Sequence, residues 1–125
     1  MRLCELDIDG KLIARDVKYC NTFFSGLLGL MFVADPGNGA VLLNLPEPVG
    51  IHMNFVRFEL RIIWLDVRFK VVGEVLAKPW RMYHGPAGAK HVIELPVGNR
   101  SKIKEGDIVK INAYDNKNRR TGNKR

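Results

Sequence analysis

The sequence predicts a mainly β protein: a single compact antiparallel β-sandwich or jelly-roll-like barrel with one short helix near residues 22–30. Three observations predict it. Short alternating runs of strand formers recur at regular spacing between Gly, Pro and Asn, the pattern of a sandwich or small barrel. Asp9-Gly10 lies between two such runs, and a type I′ hairpin turn needs positive φ at both central positions. One stretch, NTFFSGLLGLM, carries a wide apolar stripe at helical spacing. The 125 residues suit one domain with a real core. The expected division is a β-rich domain over 1–114 and a disordered basic tail over 115–125.

The elements follow in order. Around Asp9-Gly10, Ile8 should face Lys11, Leu6 face Ile13 and Cys4 face Arg15, which collects Cys4, Leu6, Ile8, Ile13 and Val17 on one face. Asn21 or Thr22 can cap the helix, although Gly26 and Gly29 each lower its stability by about 1 kcal/mol relative to Ala. ADPGNG is a loop, GAVLLNL a buried strand ended by the prolines of PEP, and KVVGEVLA a strand after a turn near Val67 and Arg68. KPWRMYHGPAG is a long irregular connection. AKHVIELP is a strand ending at Pro96, VGNRSKIKEGD a turn or single helical turn, and DIVKINAY the last strand.

GIHMNFVRFELRIIWLD (50–66) alternates twice over. Val56, Phe58, Leu60, Ile62 and Trp64 share one parity, while Arg57, Glu59 and Arg61 share the other. Before Val56 the parity is reversed, with Ile51, Met53 and Phe55 apolar. One inserted residue swaps the faces of a strand, so a bulge or sharp bend is expected at about Asn54 to Val56. Arg57, Glu59 and Arg61 then form the polar face of a half-buried strand. Alternatively, the bend aims His52, Asn54 and Arg57 into a shared concavity.

Charge and cysteine usage narrow the function classes. The formal net charge is +7, but much of it sits in the tail, where Lys117, Arg119, Arg120, Lys124 and Arg125 oppose Asp115 alone. A tail without apolar residues cannot offset its ordering entropy. It is either simply solvated or an electrostatic arm for RNA, DNA or an acidic partner. Two cysteines, Cys4 and Cys20, make neither a disulfide framework nor a zinc site. Cys20 precedes the helix, where a thiolate would be stabilised; a small buried hydrophobe is the plainer role for each. The absence of Gln and the abundance of Lys and Arg lean toward a thermophile. The chain opens without a signal-peptide pattern, and its longest apolar run, residues 23–34, is shorter than the roughly 20 residues a spanning helix needs. A soluble, cytoplasmic protein without membrane contact is expected.

At this point LLGLM (27–31), GIHMNFVRFELRIIWLD (50–66), KPWR (78–81), AKHVIELPVG (89–98) and EGDIVKI (105–111) come in an order that resembles the DUF192 family, also called UPF0127, over roughly residues 18–112. That resemblance implies a compact, mostly β domain of sandwich or jelly-roll type, with a short helix near the Gly-Leu-Met motif. It implies no activity. Members often read Pro-Leu-Asp where this chain has Glu59, Leu60 and Arg61, so the proline and the acid are both missing.

The residues name no catalytic set, cofactor or metal. His52, His84 and His91 are the three histidines, at spacings that match no metal motif. Ser25 and Ser101 lack the surroundings of a nucleophile elbow. The site expectation rests on the loop holding Trp80, Arg81, Tyr83 and His84, together with His52, Asn54 and Arg57. Two rings and an Arg suit a sugar, a planar ring or an anion. The alternative is that Trp80 and Tyr83 plug one end of the sandwich while Arg81 and His84 are solvated. Three readings of function remain: a small-ligand or anion-binding module, a nucleic-acid-binding domain assisted by the tail, and an enzyme whose groups converge from distant strands.

Overall fold

A computed structural model describes residues 2–20, 36–46, 49–53 and 56–115. They form nine strands: β1 (Arg2–Ile8), β2 (Lys11–Cys20), β3 (Ala40–Leu42), β4 (Gly50–His52), β5 (Leu60–Leu65), β6 (Val71–Ala77), β7 (Met82–His84), β8 (His91–Pro96) and β9 (Lys110–Asp115). Seven make a sheet in the order β6-β5-β8-β3-β2-β1-β9, and β4 pairs with β7 in a two-stranded ribbon. The large sheet is mixed, because β2 and β3 run parallel while its other neighbours are antiparallel. The expected helix near residues 22–30 and tail residues 116–125 lie outside the described residues; Asp115, assigned to the tail, pairs with Arg2 as the last residue of β9.

The first hairpin turns at Asp9 and Gly10, with φ of 54° and 79°, as a type I′ turn requires. Ile8 pairs with Lys11 as expected, but Leu6 meets Ala14 and Cys4 meets Val17. Two register shifts cause the correction, each leaving an extra residue on β2. Both Ile13 and Ala14 are thereby buried, and Asp16 takes a positive φ of 56°. Across β1, the Tyr114 hydroxyl accepts the Asp16 N–H at 3.0 Å and donates to Asp16 Oδ1, tying β9 to the second bulge.

The sheet's two edges meet. Lys70 bridges Ile108, Val71 N–H donates to the Asp107 carbonyl (2.8 Å), and Val109 N–H donates to the Phe69 carbonyl (2.9 Å). This seam curls the sheet into a barrel-like form. Its inner layer holds Cys4, Leu6, Ile8, Val17, Val41, Ile63, Leu65, Ile93 and Leu95. The opposite face of β3, β5 and β8 is buried too, under an outer layer that includes Leu42, Ile51, Met53, Leu60, Ile62, Trp64 and Val92. Strands buried on both faces need continuous apolar runs, which is why β5 reads LRIIWL.

That geometry corrects the reading of residues 50–66. They are two strands in different sheets, and the change of parity falls in the crossing between them, whose Asn54 and Phe55 lie outside the described residues. Arg57 and Glu59 are exposed before β5 begins. Arg61 is the second residue of β5, its guanidinium held by Glu74 (Nε to Oε2, 2.7 Å) and the carbonyls of Asn99 (2.8 Å) and Ser101 (2.9 Å). The next residue of that parity, Ile63, is fully buried. The polar face therefore ends at Arg61.

Gly39 fixes the approach of β3 to β8. Its φ is +100°, and a Cβ there would lie 2.1 Å from the Glu94 carbonyl oxygen. Gly39→Ala adds both a backbone clash and left-handed strain, and it is expected to cost on the order of 3 kcal/mol. Urea denaturation of the variant beside the wild type measures this.

Candidate functional site

The ribbon is built by chemistry local to its two strands. Gly50 pairs with His84, Ile51 with Tyr83, and His52 with Met82. The pairing extends past the strands, because Met53 N–H donates to the Arg81 carbonyl (2.7 Å) and Trp80 N–H to the Met53 carbonyl (2.8 Å). Alternation then sorts the side chains. Ile51 and Met53 are buried in the outer layer and Tyr83 packs against it. The Tyr83 hydroxyl accepts the Lys78 N–H at 2.8 Å. Met82 and His84 point outward. The connection expected to be irregular thus contains β7, and the two rings part: Tyr83 packs, while Trp80 stays 62% exposed.

The structure accordingly joins the backbone of 50–53 to that of 80–84. Arg57 is exposed just beyond the turn in which Val56 N–H donates to the Met53 carbonyl, and Arg81 is exposed on the ribbon. Asn54 lies outside the described residues. Trp80 has a φ of +67°, a conformation that costs a non-glycine residue roughly 1 kcal/mol. Such outliers concentrate at functional sites.

Two polar side chains are buried in β8. His91 stacks on Phe69, with centroids 4.6 Å apart and planes at 11°. Its Nδ1 accepts the Asn44 N–H at 3.0 Å, so that nitrogen carries no proton. Burial, then the nearby Lys90, lower its pKa, against an opposing pull from Asp66. Glu94 faces the outer layer beside its sheet partners Ala40 and Ile62. It is 6% exposed, and burial pushes its pKa up to about 7. The nearby Cys20 thiol is raised by burial and then by Glu94, with Lys18 opposing. Burial pushes the Cys4 thiol up to about 12. A stabilised Cys20 thiolate is therefore not what the surroundings produce, and both cysteines are free thiols. Among the described residues, no group of three His, Cys, Asp or Glu side chains could hold a metal ion. No described helix is long and apolar enough to cross a membrane.

A basic groove of about 720 Å³ runs beside Arg61, lined by Arg100, Lys102 and Lys104. Its signal lay in the sequence: RSKIK places three cations at every second position. Read as a turn, the segment gave no hint that its cations border a groove.

Glu94 gives a pH test. The folded state holds the proton up to about pH 7, while the unfolded carboxyl releases it near its ordinary 4.5. The native state binds more protons between those values, so stability falls as pH rises through that window and levels off above it. Glu94→Gln cannot ionise. Between pH 4.5 and 8, wild type should lose on the order of 3 kcal/mol relative to the variant, followed by urea denaturation.

The family described as DUF192, "Uncharacterized ACR", matches residues 4–111. A UPF0127 protein of Thermococcus kodakarensis is 36% identical over 106 residues, 80% of this chain and 67% of that protein. One of Thermococcus sibiricus is 39% identical over 93 residues, 71% of this chain and 60% of its own length. One of Pyrococcus horikoshii is 34% identical over 99 residues, 76% and 86% of the two chains. These homologues come from thermophilic archaea. A crystal structure of a protein of unknown function from Novosphingobium aromaticivorans shares the fold, with a TM-score of 0.73 at 22% identity, over 86% of this chain and 83% of that one.

Proposed function

The chain belongs to the DUF192 family of uncharacterised proteins, and from that premise we propose that it is a small-ligand-binding module whose contact surface is the β4–β7 ribbon. The observation that carries this reading is Trp80, held in a left-handed conformation by its N–H bond to Met53 while its side chain stays largely exposed. An indole that is strained at its backbone and mostly in water is a costly way to stabilise a ribbon. A ligand with a planar or sugar face would gain a stacking surface. Exposed Arg81, Arg57 and His84 would supply charge and donors to its polar or anionic end.

Trp80→Gly separates the two roles. Glycine keeps the N–H bond and removes about 1 kcal/mol of backbone cost, which offsets the packing that the indole gives up, so stability should hold. Affinity for the ligand should fall at least tenfold. An NMR shift screen of sugars, nucleotides and phosphate identifies the ligand class, and titration of both proteins then measures the loss. A flat response across the screen would return the ribbon to a packing role.

The basic groove favours a second reading, binding of a nucleic-acid backbone by Arg100, Lys102 and Lys104, with the tail cations Lys117, Arg119, Arg120, Lys124 and Arg125 adding attraction. Replacing the three groove residues with Ala should weaken binding of single-stranded RNA. It should also flatten the dependence of log K on log salt by about 0.7 for each phosphate that is no longer neutralised. An unchanged salt slope would exclude the groove.

A further inference from the structure

The seam between the sheet's edges leaves a hollow of about 470 Å³, inside the range of roughly 300–1,000 Å³ typical of small-molecule sites. Its floor is apolar, made by Tyr19, Leu43, Phe69, Val109 and Ile111. Arg68 stands at its rim with Ile108, which is 53% exposed, while Lys110 lies on the face of β9 away from Val109 and Ile111, paired across the sheet with Asp7. No carboxylate is among the described residues that line it.

The wall is held in place by a turn that glycine would fill more cheaply. Phe69 N–H donates to the Asp66 carbonyl (3.0 Å), and Asp66 Oδ1 accepts the N–H groups of Arg68 (2.9 Å) and Lys70 (3.0 Å). These bonds drive Phe69 to a φ of +63°. Its ring is then clamped against His91, which is itself oriented by the Asn44 N–H. An aromatic wall is kept at a position where its backbone is strained, beside a cationic rim. Turn geometry alone does not ask for that ring.

We infer that the seam hollow binds a small carboxylate with an apolar body, the aromatic or branched part lying against Phe69 and Tyr19 and the carboxylate reaching Arg68. The apolar floor rejects a bare anion such as phosphate, which gains no burial there. The Arg68 guanidinium rejects an amine of the same shape. This site is separate from the ribbon, and neither reading depends on the other.

The probes are phenylacetate, its cationic counterpart 2-phenylethylamine, and inorganic phosphate, each titrated into the full chain by calorimetry and by amide-shift mapping. Phenylacetate is expected to bind and to shift the amides of Tyr19, Phe69 and residues 109–111, while the other two leave them unmoved. Arg68→Gln and Ile108→Glu should each lower phenylacetate affinity at least tenfold. Both substitutions sit at exposed positions, and an unchanged amide spectrum elsewhere confirms that the fold is kept. Equal binding of 2-phenylethylamine, full affinity in Ile108→Glu, shifts confined to the ribbon, or no binding of phenylacetate would each overturn the inference. Shifts confined to the ribbon would at the same time support the ribbon as the ligand surface.

Discussion

Apolar burial on both faces of β5 and β8 is the constraint on which the other features depend. Ile63 and Leu65 fill the inner layer while Leu60, Ile62 and Trp64 fill the outer one. A sheet with a single wet face would leave the second set exposed, so something must cover it. The β4–β7 ribbon does part of this through Ile51, Met53 and Tyr83. The ribbon is thus a packing element first, and its outward side is what remains available to a ligand. Gly85 shows how tight the cover is, since a Cβ there would lie 2.7 Å from the Trp64 ring.

Polar groups within such a core must either bond or change protonation state. His91 takes the first course, accepting a backbone N–H while stacked on Phe69. Glu94 takes the second, with a pKa raised to about 7 by burial. Their pH dependences oppose each other. Stability linked to His91 is lost as pH falls below about 6.5 through its lowered native value, whereas stability linked to Glu94 is lost as pH rises. The same barrel is therefore loaded at both ends of the near-neutral range. Arg61 sits at the boundary of this regime, where a salt bridge and two carbonyls satisfy its guanidinium before the strand enters the core.

Backbone strain and aromatic placement coincide twice. Trp80 and Phe69 both occupy left-handed conformations that glycine adopts without cost. One is exposed on the ribbon and the other lines the seam hollow. In each case hydrogen bonds from neighbouring segments over-determine the conformation, the condition under which such strain persists. Loop and turn positions on a rigid β scaffold can carry that cost, because the surrounding sheet supplies the stability.

The sequence by itself determined the β class, the Asp9-Gly10 turn, the end of β8 at Pro96 and the family, because alternation, turn chemistry and short motifs are local properties. It also selected 52–57 and 80–84 as segments of interest, without saying that 50–53 pairs with 80–84. Tertiary structure alone decided the rest. The two bulges of β2 arise from pairing with β1 and moved Ile13 and Cys4 off their expected partners. The parallel pairing of β2 with β3 joins strands separated by residues 21–39. Arg57 and Glu59 are exposed and Arg61 half-buried, as the alternation expects, but only Arg61 lies in a strand, and the face closes at Ile63 because burial there comes from distant residues. Phe69 and the basic groove went unnoticed because their roles depend on which chain segments meet at the seam and beside Arg61. Periodicity reports which way a side chain points along its own strand. What it then meets is fixed by long-range packing, and that is where the candidate ligand surfaces are made.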